Sequence, residues 1–214
     1  MKKSDAIRTR VVIVRNVLTD SEMASLSDLY STIRSEETKR ALRKGPLTSE
    51  CNELFDHPAL DGLRTTNHVS VFVHVNKRID EELPEIYSKI VNLMHQTDKE
   101  QNWNLLSSSS NIRVMEYHEY TEGGSVADPF HADGGSLVTS SILLSSPSTF
   151  EGGEFSTMEL DKVTMNYHDN MNEGDAVVFV SEKWHSVEVV ESGNRQSFVT
   201  EIWPGPRCVI GRDL

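Results

Sequence analysis

Apolar residues in the first half of the chain switch between helical and strand-like spacing, whereas the second half is almost wholly strand-like. Residues 11–14 read VVIV, a short opening strand. Thr19 and Glu22 fit a capping box, in which each side chain takes the other residue's backbone N–H. Met23, Leu26, Tyr30 and Ile33 then recur at helical spacing and predict a helix. The charged run 35–44 continues or frays it, and Gly45-Pro46 stops it. Residues 47–66 show no period and read as a loop. Val69, Val71, Val73 and Val75 alternate with Ser70, Phe72 and His74, the period of two that marks a strand. Ile86, Ile90 and Met94 stand one turn apart in a second amphipathic helix, whose first turn tolerates Pro84.

Beyond the polar linker 107–110 the character changes. Strands are predicted at 112–117, 137–144, 153–158, 176–180, 186–190 and 196–203. Gly123-Gly124, Ser146-Pro147 and Gly193-Asn194 punctuate them as turns. Helices first and strands afterwards describe an α+β chain with a sandwich or barrel in its C-terminal half. No internal repeat interrupts this order.

At 214 residues the chain fits one domain, able to bury roughly 70% of its unfolded surface without disulfide staples. Cys51 and Cys208 are its only cysteines, far apart and outside any CxxC, so neither a disulfide framework nor a structural zinc site is expected. The start lacks the apolar core of a signal peptide, and no run approaches a membrane span. The expected compartment is cytoplasmic. A formal net charge of -12 weighs against a phosphate-backbone binder, so no nucleic-acid partner is expected. Such a charge suits a basic substrate, although acidity often serves solubility alone.

The candidate chemistry lies in two segments, HADGG and KWHSVEVVESGNRQS. His131 and Asp133 are two apart, so on an extended chain their imidazole and carboxylate point the same way. His185 from a distant strand would complete a ligand set of two histidines and one carboxylate, as in mononuclear non-haem Fe(II) oxygenases. HxD alone is a weak signal among eight histidines and 33 acidic residues. The surrounding order strengthens it. After Asp133 come Gly134-Gly135, a strand, the segment FEGGEF, Gly174-Asp175 with an apolar strand, His185, and ten residues later Arg195. Arg195 and Ser197 share a strand face and make a carboxylate clamp, guanidinium beside hydroxyl. His57, His68, His74, His95, His118 and His168 are read as having no metal role. A zinc hydrolase remains open as an alternative use of the same ligands.

With these motifs in this order, the chain resembles the 2-oxoglutarate/Fe(II)-dependent dioxygenases, specifically the prolyl 4-hydroxylase-like catalytic domain. The resemblance runs from about Asn111 to Trp203, with a less specific strand-plus-helix entry before it. It implies a double-stranded β-helix, or jelly-roll, core at 107–207, supported by a helix-rich region at 1–106, in one domain spanning 1–214. It implies Fe(II) held by His131, Asp133 and His185. It also implies 2-oxoglutarate anchored by Arg195 and Ser197, with Tyr117 as a co-substrate hydrogen-bonding tyrosine. Ascorbate is an accessory cofactor under the same resemblance. Three positions depart from the family pattern. Asp128 stands where a tyrosine is common, Arg195 where many prolyl hydroxylases carry lysine, and glycines where an aromatic residue often follows the aspartate.

The implied activity is O2-dependent hydroxylation of a C–H bond, first of a prolyl or other amino-acid residue of a protein. A free amino acid or other small molecule is the alternative substrate. A non-catalytic barrel that binds metal or ligand is the alternative class. Residues 47–66 and 120–130 are candidate lids over the site.

Overall fold

In the computed structural model, residues 2–43, 67–126, 128 and 130–210 are described. A short helix α1 (Lys3–Ile7) precedes β1 (Val12–Val14) and the long helix α2 (Asp20–Arg43). Then come β2 (His68–Phe72), a 3-10 turn, α3 (Arg78–Glu82) and α4 (Pro84–Glu100). The strands β3 (Asn111–Thr121), β4 (Val138–Leu143), β5 (Phe150–Gly152) and β6 (Phe155–Met158) follow. The chain continues through β7 (Met165–Tyr167), β8 (Ala176–Val180), β9 (His185–Val187) and β10 (Val190–Trp203). Among the described residues no helix is long and apolar enough to cross a membrane.

The strands form two antiparallel sheets. The larger runs in the order β1-β8-β4-β10-β3-β2, with β5 added to the start of β10; the smaller runs β7-β6-β9. Leu143, Val177, Phe179 and Val190 from the larger sheet pack with Phe155 and Val187 from the smaller, so the sheets close on one another as a jelly roll. Leu26, Tyr30 and Ile33 of α2 and Ile86, Ile90 and Met94 of α4 cover the outer face of the larger sheet against Met115, Tyr117, Ile142 and Val178. The layers are therefore helices, large sheet, small sheet, an α+β chain with a jelly-roll core. Strand β3 is buried on both faces because one meets the helices and the other the barrel interior.

The capping box forms as the pattern requires. The Thr19 N–H donates to Glu22 Oε2 at 2.8 Å, and the Glu22 N–H donates to Thr19 Oγ1 at 3.3 Å. The N-terminal region does more than support the barrel: β1 and β2 supply both edges of the large sheet. The predicted strand at 69–75 stops at Phe72, since Asn76 and Lys77 take positive φ in the turn that follows. Gly193-Asn194 is not a turn between strands. Gly193 sits at φ 81 inside β10, near a register shift between Val190 and Ser192. This bulge lets one strand pair first with β5 and then with both β3 and β4. β7 is mostly exposed and has no apolar alternation to reveal it. The predicted helix stop at Gly45-Pro46 and the predicted loop and lid at 47–66 lie outside the described residues.

Candidate active site

Backbone pairing brings the two chemical segments together. The His185 N–H donates to the His131 carbonyl at 3.0 Å, and the Asp133 N–H donates to the Ser181 carbonyl at 3.0 Å. Residues 131–133 lie in irregular chain between β3 and β4 rather than within a strand, yet these bonds lay them alongside the approach to β9. His131, Asp133 and His185 each offer a ligating atom, all within 4.8 Å of one another. They are the one such group among the described residues. His131 Nε2 lies 3.2 Å from Asp133 Oδ1, and His185 Nε2 lies 3.6 Å from Asp133 Oδ2.

Neighbouring groups fix the orientation of these side chains. His185 Nδ1 donates to the Lys183 carbonyl at 2.9 Å, which leaves Nε2 as the ligating nitrogen. Thr139 Oγ1 donates to Asp133 Oδ2 at 2.7 Å and meets Ser181 Oγ at 2.9 Å. Behind the Gly134-Gly135 turn, Arg113 Nη1 donates to the Gly134 carbonyl at 2.7 Å, and Ser136 Oγ donates to Glu201 Oε2 at 2.5 Å. The register skips Arg113 where β3 meets β10, and this bulge aims its side chain at the turn. Burial would raise the Asp133 carboxyl, but the two imidazoles and the Thr139 hydroxyl outweigh it and hold the group below the usual carboxylate range. Burial lowers His185, against the opposing pull of Asp133 and the Lys183 carbonyl. A neutral imidazole, a buried carboxylate and a second imidazole suit a divalent metal, so the residues fit the ion that the ligand pattern implies.

The three groups open into a cavity of about 70 Å³ lined also by Glu116, His118, Tyr120, Ser141 and Ser197. A neighbouring cavity of about 330 Å³ is lined by Arg195, Glu154, His168 and Met171. Phe155 forms part of both walls. Arg195 is 3% exposed, and its Nη1 has no hydrogen-bond partner among the described residues. Burial pushes the guanidinium below its usual value, with Tyr120 and Glu154 opposing, but an arginine stays charged in proteins. A buried cation with an unused donor is costly and fits an anionic ligand that completes it. The distal carboxylate of 2-oxoglutarate has the required charge and fork-matching geometry.

Of the six residues singled out from the sequence, five face this region and Tyr117 does not. Tyr117 stacks on Tyr30 at 4.3 Å within the helix-side core. Its neighbours one position away, Glu116 and His118, face the cavity, and so does Tyr120. Period-two alternation puts 117 and 120 on opposite faces of β3. Tyr120 is the tyrosine beside Arg195: they are directly paired on β3 and β10, with the guanidinium carbon 5.5 Å from the ring centroid. Parity in the sequence separates the two tyrosines, but the packing of α2 on β3 decides which one faces inward. Glu154 borders the cavity beside Arg195, whereas Trp184 packs edge-on against exposed Phe130. In the predicted lid at 120–130, Val126 is tied to Val187 by a β-bridge and Gly123 N–H to the Val190 carbonyl.

The architecture and the inward cluster define the class of fold: a jelly roll of the kind found in 2-oxoglutarate/Fe(II) oxygenases. Three solved structures make this specific. An oxidoreductase of the 2OG-Fe(II) oxygenase family from Burkholderia pseudomallei matches with a TM-score of 0.59 at 13% identity, covering 98% of this chain and 91% of that one. A viral collagen prolyl hydroxylase from Paramecium Bursaria Chlorella virus-1, solved as a 2OG complex, matches at 0.55 and 16% identity, covering 94% and 99%. A Trichoplax adhaerens prolyl hydroxylase, bound to a hypoxia inducible factor oxygen degradation domain peptide fragment, matches at 0.54 and 14%, covering 94% and 89%. No family sequence profile matches the chain, and no curated protein matches it. At such identities the likeness establishes the fold, and function has to be argued from the site.

Proposed function

We infer that this chain is an Fe(II)- and 2-oxoglutarate-dependent dioxygenase that hydroxylates a C–H bond in a prolyl or other amino-acid residue of a protein. One observation carries the reading: two imidazoles and a carboxylate converge within 4.8 Å, in the same barrel as a buried guanidinium with an unused donor. The Trichoplax neighbour holds a peptide, which supports a peptide substrate here.

Fe(II) held by His131, Asp133 and His185 would supply the oxidative chemistry with 2-oxoglutarate and O2. The protein's part is positional. Lys183 holds the His185 tautomer, and Thr139 holds one Asp133 oxygen. Arg195 takes the distal carboxylate of the co-substrate and sets its direction, with Ser197 beside it on the same strand face. Phe155, Phe179 and Val187 give the cavity apolar walls that exclude water beside the ligating groups.

The direct test is turnover. Protein loaded with Fe(II) and supplied with ascorbate should convert 2-oxoglutarate to succinate faster when proline-containing peptides are added, and mass spectrometry should find one oxygen added to a peptide. Stimulation by free amino acids alone would replace the peptide part of the reading. No succinate under any condition would remove the enzymatic part.

Gly153 gives a second test. At φ 67, an added Cβ would meet Arg195 Cδ at 2.8 Å and Val190 Cγ2 at 3.0 Å. Gly153→Ala is expected to cost roughly 1–3 kcal/mol of stability through backbone strain and crowding. Because it also displaces the guanidinium, 2-oxoglutarate should bind on the order of tenfold more weakly, a loss of ~1.4 kcal/mol. Thermal melts and ligand titration read the two effects separately. Unchanged 2-oxoglutarate affinity in a destabilised variant would contradict the anchoring role of Arg195.

A further inference from the structure

Glu116, His118 and Tyr120 of the cavity wall continue into half-buried His68 as a column of titratable groups to which the reading above gives no role. Strand β3 lies between β10 and β2, and its inward residues form cross-strand rows. One row is Arg195, Tyr120 and His68; the next is Ser197, His118 and Ser70. Tyr120 is therefore flanked by Arg195 from one neighbouring strand and His68 from the other. The His68 and Tyr120 rings stack at 4.1 Å with an interplanar angle of 13°. His68 Nε2 lies 2.9 Å from His118 Nδ1, and His118 Nε2 lies 2.8 Å from Glu116 Oε2.

The carboxylate at the end of the column sets the direction of its bond to His118. An ionised carboxylate only accepts, so His118 Nε2 donates to Glu116. His118 Nδ1 is within reach of both His68 Nε2, at 2.9 Å, and the Tyr120 hydroxyl, at 3.4 Å. Burial, with His118 and Arg195 adding to it and Glu116 opposing, pushes His68 down to about 3. A buried carboxylate paired with imidazole is a poor stabiliser, because desolvation offsets its attraction. Apolar side chains would pack the wall as well. What the column adds is a fixed orientation for the Tyr120 ring under the guanidinium.

We propose that Glu116, His118 and His68 are positioning residues that hold Tyr120 against Arg195, so that the co-substrate's distal carboxylate meets a preformed pocket. This rests on the 2-oxoglutarate reading and adds residues to it. Preformed geometry raises affinity by removing ordering costs at binding. The column acts at the carboxylate end of the co-substrate, so its loss should affect ligands that carry that group and spare those that lack it.

The experiment compares the parent protein with Glu116→Gln and His118→Asn. Under anaerobic conditions with Fe(II), 2-oxoglutarate and 2-oxobutyrate are titrated separately, since 2-oxobutyrate lacks the distal carboxylate. Fe(II) affinity is measured as well. Both variants should bind 2-oxoglutarate on the order of tenfold more weakly, because Tyr120 is no longer held under the guanidinium, with Fe(II) and 2-oxobutyrate binding changed by less than about twofold. Unchanged 2-oxoglutarate affinity in folded Glu116→Gln would overturn the proposal and leave the column as packing. Equal losses for both 2-oxoacids would also overturn it, as general damage. If His118→Asn does not fold, the near-isosteric Glu116→Gln decides. A parent protein that binds no 2-oxoglutarate overturns the reading beneath the proposal, an outcome seen before any variant is made.

Discussion

Arg195→Met should lose 2-oxoglutarate binding while the ligand-free protein melts at the same temperature or higher. The two effects have opposite signs for one reason. In the ligand-free protein the guanidinium is buried, with Nη1 lacking a hydrogen-bond partner among the described residues. A buried charge without a full set of partners is a cost, and an apolar side chain of similar length relieves it. With the co-substrate bound as proposed, the same guanidinium would make charge-assisted bonds worth roughly 1.5–3 kcal/mol each. Losing two of them predicts at least about a hundredfold weaker binding. Arg195→Lys keeps the charge but not the planar fork, and should recover part of the affinity. Calorimetry and ligand titration on the same samples check both signs. A strongly destabilised Arg195→Met that still binds the co-substrate would make the arginine a structural residue.

Asp133→Ala should remove metal binding without unfolding the barrel. Asp133 supplies the only carboxylate of the cluster and stands between the two imidazoles, 3.2 Å from one and 3.6 Å from the other. Changes to groups around a metal ligand cost roughly 10–100-fold in affinity, so loss of a ligand should exceed about a hundredfold. The cost to the metal-free fold is smaller. The Thr139 hydroxyl loses its bond to Asp133, a penalty of about 1–3 kcal/mol, but keeps Ser181 within reach. Metal content after anaerobic dialysis against Fe(II), together with a thermal melt, separates the two effects. Retained stoichiometric iron in folded Asp133→Ala would contradict the proposed ligand set.

Much of this arrangement can be read from the chain because the signals are local. VVIV, the Thr19–Glu22 box and the spacing of Ile86, Ile90 and Met94 each specify an element within a few residues. The ligand candidates stood out because His131 and Asp133 are two apart and the order of later motifs is rigid. Other features depend on distant chain. Tyr117 and Tyr120 look alike in sequence, and only the packing of α2 on one face of β3 decides which of them meets the barrel interior. The bulge at Gly193 is visible as a glycine, but that one strand pairs with three others follows from tertiary register. The Glu116–His118–His68 column is invisible for the same reason: His68 joins it from β2, fifty positions away.

As proposed, His131, Asp133 and His185 hold iron while Arg195 anchors 2-oxoglutarate. The measurement that tests it most directly is anaerobic titration of Fe(II) and then 2-oxoglutarate into the metal-free protein, following the visible charge-transfer band, with His131→Ala and Arg195→Ala alongside. The expected outcome is a saturable band in the parent, none in His131→Ala, and in Arg195→Ala a band reached only at much higher co-substrate concentration. A folded, iron-loaded parent that gives no band at any 2-oxoglutarate concentration would contradict it.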